Sequence, residues 1–277
     1  MKLTKKSIIG FVTVATLLAG SAPAVFAEEV GTAGPKGKVN FVEGEIDTNP
    51  PTVISPETEP PEEIKPEEPN FTTGLLRIVD APVFDFGDVA ISSSNALYSV
   101  KTNKYSKVVD GVVTATPVYK APMVQIEDKR GETTTQTWSL AVSATEFKTA
   151  DDETLTGAEI RVKDKGIVFN NTRTPDRVAP GSGINTTAAG FTIGSTAKVV
   201  LSSEAGKGNA LTSLALDPQY KEGGFDSGSG TVQAYTADTK VDNVQLFVPV
   251  TATKITNALY TSTISWTLSD TPDAITN

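Results

Sequence analysis

From Phe71 to Asn277, apolar and polar side chains repeatedly alternate with a period of two, and that rhythm restricts the chain to strands. Ile160 and Val162 fall on one face of such a strand, with Arg161 and Lys163 on the other. Leu246, Val248 and Val250 repeat the pattern, although Pro249, which has no amide to donate, confines that strand to an edge or to its own end. Val112 to Thr116 and Lys198 to Leu201 are further strand candidates. Asp164-Lys165-Gly166 has turn chemistry, so Ile167-Val168-Phe169 is expected to return along Ile160–Val162 as a hairpin. Glycine-rich polar stretches at 179–190 and 223–230 separate other segments, and no helical 3.6-residue period runs for more than a few turns. The 38 threonines against 2 methionines agree, since β-branched side chains pack well on a pleated surface. The expected fold is therefore all-β, a sandwich or barrel-like domain of many short strands over residues 71–277.

Two segments of different material come first. Lys2, Lys5 and Lys6 precede a short apolar run from Ile8 to Ala19, small residues follow, and Val25-Phe26-Ala27 is the expected cleavage site before Glu28. Residues 1–27 read as a secretory signal peptide, too short in its apolar part for a span of ~20 residues. Residues 28–70 hold eight of the 17 prolines, with 11 acidic and three basic residues. Low hydrophobicity and like-charge repulsion predict a disordered or extended acidic linker there. The C-terminal Ser269 to Asn277 shows neither an apolar tail nor a Leu-Pro sorting motif, so an exported protein held without a covalent or membrane anchor is expected.

Composition removes much chemistry. The chain has no cysteine and no histidine, which excludes disulfides, thiolate metal sites, a Ser-His-Asp triad and imidazole catalysis. With 24 Lys and Arg against 33 Asp and Glu the net charge is −9, and cleavage after Ala27 would remove three lysines and no acid, leaving −12. Clustered positive charge for nucleic acid is missing. Asp80, Asp85 and Asp88, and separately Asp151-Asp152-Glu153, offer oxygen donors for calcium, yet neither follows the spacing of a calcium loop, and solvated loops are the simpler expectation. Gly206-Lys207-Gly208 lacks phosphate-loop spacing and reads as a turn. A pair of carboxylates suffices for glycoside hydrolysis, but no hydrolase signature stands in the sequence. No enzymatic activity and no cofactor are expected.

Both tryptophans occupy one kind of context. In Thr137-Trp138-Ser139-Leu140-Ala141-Val142, the residues Trp138, Leu140 and Val142 share a face; in Ile264-Ser265-Trp266-Thr267-Leu268-Ser269, Ile264, Trp266 and Leu268 do. The two Trp-x-Leu motifs on Thr/Ser-rich strands resemble those of the WxL-domain surface proteins of low-GC Gram-positive bacteria. The opening Leu75-Leu76-Arg77-Ile78-Val79-Asp80-Ala81-Pro82, with Phe84-Asp85-Phe86-Gly87 after it, is similar to that family's opening segment. Gln245-Leu246-Phe247-Val248-Pro249 is similar to its Leu-x-Val-Pro segment.

The resemblance covers residues 71–277. It implies a secreted, non-catalytic protein at the cell surface, attached to the wall by binding peptidoglycan and working in complexes with other secreted surface proteins. An adhesin or complex subunit whose main ligand is a host-matrix or bacterial protein is the alternative. The carry-over falls on Trp138, Leu140, Trp266 and Leu268, either as rings and aliphatics lining a groove or as core. Partners in nucleic acid and membrane insertion after signal removal are not expected. A wall rich in teichoic acid repels a chain of net negative charge, so attraction has to come from short-range contacts with glycan or stem peptide. The amines of the stem are natural partners for the protein's carboxylates.

Overall fold

A computed structural model describes residues 39–40, 42, 44–46, 48–56, 62–131, 135–170, 183–187, 189–221 and 223–271. The expected signal peptide lies outside the described residues. The chain divides into Met1–Phe41 and Val42–Asn277, and everything below concerns the second unit.

Among the described residues every regular element is a strand, and all the paired strands run antiparallel, in small sheets arranged round an axis. The first sheet joins β1 (Val53–Ser55), β2 (Glu62–Pro66), β5 (Asn103–Val109) and β6 (Val112–Lys120) in that order. The second has the order β10 (Ile167–Asn170), β14 (Ala210–Ala215), β7 (Met123–Asp128), β3 (Leu76–Asp80). The third runs β11 (Ile184–Thr186), β13 (Lys198–Ser203), β8 (Ser139–Ala144), β18 (Ile264–Ser269). The fourth runs β12 (Phe191–Ile193), β9 (Glu159–Val162), β17 (Lys240–Val248), β4 (Ala96–Lys101). A small ribbon pairs β15 (Tyr220–Lys221) with β16 (Gly224–Phe225). The expected all-β class holds.

One large apolar cluster draws on the second, third and fourth sheets, through side chains such as Ile126, Phe169, Trp138, Leu140, Ile160 and Leu246. A smaller cluster forms under the first sheet from Val53, Ile64, Val79, Tyr105 and Met123. Val53 and Ile64 are fully buried, and both belong to the stretch expected to be a linker. Within 28–70, then, residues 53–55 and 62–66 are strands of the fold. The proline-rich composition hid two positions that pair and bury: Val53 lies opposite Ile64, and Ile64 opposite Lys107. β2 is an inner strand, and its one proline, Pro66, stands at its last position, beyond the residues that pair with β1, so no amide is missing from that ladder.

The expected hairpin is not formed. β9 pairs with β12 and β17, whereas β10 pairs with β14, so the turn at 164–166 carries the chain from one sheet to another. Asn243 directs this crossing. Its side-chain oxygen accepts from the Asp164 amide (2.8 Å), and its amide donates to the Asp164 (3.0 Å) and Leu216 (3.1 Å) carbonyls. Pro249 follows directly on the last residue of β17, an inner strand of its sheet, which leaves the ladder intact as its position at a strand end requires.

Candidate functional site

Strands β8 and β18, the carriers of the two Trp-x-Leu motifs, are hydrogen-bonded neighbours. Ile264 stands opposite Ala144, Trp266 opposite Val142, and Leu268 opposite Leu140. Residues directly opposite in a ladder share a face, so the apolar side chains of both motifs point inward together. Their environments nevertheless differ. Trp138, Leu140 and Val142 are completely buried, because β8 has a strand on either side. β18 has β8 on one side only, and Ile264, Trp266 and Leu268 are half-buried against the core while Ser265 and Thr267 are exposed.

Trp138 is held at every polar atom. Its amide donates to the Ser203 hydroxyl (3.0 Å), its carbonyl accepts from the Ser203 amide (2.9 Å), and its indole N–H donates to the Gly208 carbonyl (3.2 Å). Gly208 has φ +82°, and a Cβ there would stand 2.7 Å from the indole nitrogen and 2.8 Å from Ser203 Cβ. The Gly206-Lys207-Gly208 turn is thus the seat of the buried tryptophan, a role that sequence reasoning missed; a glycine-flanked turn has no signal that names its neighbour. Arg130 fastens the approach to the motif, with two bonds to Asp128 (3.0 and 2.8 Å) and one to the Thr137 carbonyl (3.2 Å). Trp266 contrasts with Trp138, since its indole nitrogen is buried without a hydrogen-bond partner.

Beyond the motifs the ribbon continues and opens. The Thr145 amide donates to the Thr263 carbonyl (3.0 Å), and Lys148 and Thr261 exchange amide-to-carbonyl bonds (2.9 and 2.8 Å). Between these rungs lies a cleft of about 470 Å³ lined by Thr145, Glu146, Lys148, Thr261, Ser262 and Thr263. Its hydroxyls bond within the ribbon, Ser262 to the Thr145 carbonyl (2.7 Å) and Thr145 accepting from the Thr263 amide (2.9 Å). Phe147, buried between Glu146 and Lys148, anchors this segment so that its two neighbours face outward. Neither charged side chain has an ion-pair partner among the described residues. The cleft therefore offers hydroxyls, one carboxylate and one ammonium, a set suited to hydrogen bonding and charge pairing.

The acidic candidates sit elsewhere. Asp80 is buried beside Tyr105, whose hydroxyl donates to it at 3.4 Å. Burial pushes its carboxyl up to about 7, against smaller lowering contributions from the Asn70 amide, the Tyr105 hydroxyl and the Ala81 amide. Burial also disfavours the charge on Asp85, but the Lys101 ammonium at 2.9 Å and the Gly87 amide outweigh it and hold that carboxyl below the ordinary range. Among the described residues no group of three or more acidic side chains is gathered as metal ligands.

The two paired motif strands and the open polar cleft at the end of the pair form the candidate site of an all-β surface domain. The chain belongs to the family described as WxL domain surface cell wall-binding, whose model matches residues 28–272. The protein is accordingly a cell-surface protein with a wall-binding domain. The match begins at residue 28, so the family's domain reaches back across the segment expected to be a separate linker. No curated protein and no solved structure matches the chain.

Proposed function

We propose that the protein attaches to the wall non-covalently by binding peptidoglycan, and that the cleft at 145–148 and 261–263 makes the contact. In this reading Trp138, Leu140, Trp266 and Leu268 frame the site and do not touch the wall polymer. The observation that carries it is the pairing of the two motif strands, which fixes the cleft between them, together with the unpaired Glu146 and Lys148 on its rim. A peptide stem presents amines and carboxylates, the complement of those two charges, and its amides suit the threonine and serine hydroxyls. The family resemblance extends the proposal to membership in a surface complex with other secreted proteins.

Co-sedimentation of the full chain with protein-free sacculi tests this reading. Binding that falls at least tenfold in Glu146→Gln and Lys148→Met, with unchanged thermal unfolding, supports it. Binding that persists in both variants removes the cleft from the site, and pelleting only with protein-bearing walls points to a protein ligand. Release of soluble muropeptides in the same tube would reveal catalysis and overturn a purely binding role.

A further inference from the structure

We infer that the open edge of β18 is a docking surface for the β18 of a second copy of this chain. The inference stands apart from wall binding and starts from the direction of the backbone groups. In an antiparallel ladder, alternate residues bond to one neighbour and the residues between them bond to the other side. Thr145 and Thr263 are bonded to each other, and Ser203 bonds to Trp138 across the opposite edge of β8. This parity directs Ser265, Thr267 and Ser269 toward β8, and leaves the amides and carbonyls of Ile264, Trp266 and Leu268 facing outward. No described strand pairs with that side.

Exposed edges are normally blunted by charge, proline or shortness. β3, β4 and β6, the other edge strands of five residues or more, carry Arg77 and Asp80, Lys101, and Pro117 with Lys120 respectively. The nine residues Thr261–Ser269 contain no charge and no proline. In a chain of net charge −9 such a neutral strip is the place where two like-charged copies meet with least repulsion.

The sequence of the strip is also self-complementary about Trp266. Antiparallel pairing of two copies sets Trp266 against Trp266 of the second copy and Ile264 against Leu268, each pair exchanging two main-chain hydrogen bonds. On the inward face, half-buried apolar surfaces then cover one another; on the outward face, Ser265 meets Thr267, a favourable hydroxyl pair. One strand pair buries less than the roughly 1,200 Å² of a stable interface, so the dimer forms reversibly with concentration. Crowding on a wall raises that concentration, and a dimer presents two clefts to it.

The natural absence of cysteine allows a test of register. Ser265→Cys and Thr267→Cys are exposed single substitutions whose positions face each other in the proposed pair, at the ~4.5 Å Cα separation of a non-hydrogen-bonded site. Identical positions are offset by two residues, roughly 8 Å apart, beyond disulfide reach. Oxidation of an equimolar mixture of the two full-chain variants should yield at least fivefold more covalent dimer than either variant alone. Sedimentation of the unmodified chain should show mass rising toward the dimer with concentration, and Ser265→Lys with Thr267→Lys, which sets lysines against each other, should abolish the rise. Equal cross-linking in all three samples, or a monomer at every concentration, would overturn the proposal. Capture of an extended peptide from another protein by a chain that stays monomeric would also overturn it.

Discussion

Trp266 lies directly across the β-ladder from Val142, although one stands in the last described strand and the other near the middle of the chain. Through that rung the half-buried tryptophan joins the strand that starts from the fully buried one. Trp138, immediately before β8, is four residues along the chain from Val142, roughly 14 Å at the rise of a strand. The two motifs are thus a single ribbon with an inner tryptophan and an outer one.

The two rings should respond unequally to the same substitution. Trp138→Phe leaves the Gly208 carbonyl unpaired in a filled core and is expected to cost about 2–4 kcal/mol. Trp266→Phe removes an indole nitrogen that has no partner, and the cost should stay below about 1 kcal/mol. Urea unfolding of both variants measures the difference. Fluorescence gives an independent check, since Trp266→Phe should leave only blue-shifted, acrylamide-protected emission.

Gly208→Ala should destabilise the fold by more than its single methyl suggests. The positive φ costs about 1–2 kcal/mol for an ordinary residue, and the new Cβ collides with the Trp138 indole. A fall of several degrees in the midpoint of thermal unfolding is expected. An unchanged midpoint would mean that the turn does not seat Trp138.

Stability should depend on pH through Asp80. Its carboxyl is raised to about 7 in the folded protein, against about 4 in an unfolded chain. Between those values the folded state holds a proton that the unfolded state has released, so the contribution of Asp80 to stability is greatest below pH 4, opposite in sense to those of Glu62 and Asp85, whose carboxyls are held low. The Asp80 contribution declines as pH rises to 7, by a few kcal/mol in all. Asp80→Asn should flatten this part of the profile and raise stability at pH 8, as measured by denaturant midpoints across the range.

Ile64→Ala should cost about 2–4 kcal/mol, because Ile64 is fully buried. Proline-rich sequence around it would suggest no effect at all. Guanidinium unfolding distinguishes the two expectations, and deletion of residues 28–70 should be more damaging still.

Attachment to sacculi should survive 0.5 M salt. Screening shortens the Debye length to a few ångströms and weakens repulsion between an acidic protein and an anionic wall, which offsets the weaker pairing at the rim charges Glu146 and Lys148, while hydrogen bonds to the cleft hydroxyls are not screened. A steep loss of pelleted protein with salt would contradict attachment by short-range contacts.

The sequence by itself determined the strand class and the facing of each strand. Alternation is written residue by residue, so Trp138, Leu140 and Val142 could be grouped, and Ile264, Trp266 and Leu268 likewise. Pro249 could be set at a strand end for the same local reason. Which strands pair was decided only by tertiary structure. The turn at 164–166 suits a hairpin, yet Asn243, far along the chain, leads β10 away to another sheet. Val53 and Ile64 look like spacer until the first sheet covers them. The unequal burial of the two tryptophans has the same origin. Their local sequences are nearly alike, but β8 lies inside its sheet and β18 at its edge, and the number of neighbours a strand acquires is a property of the assembled sheet.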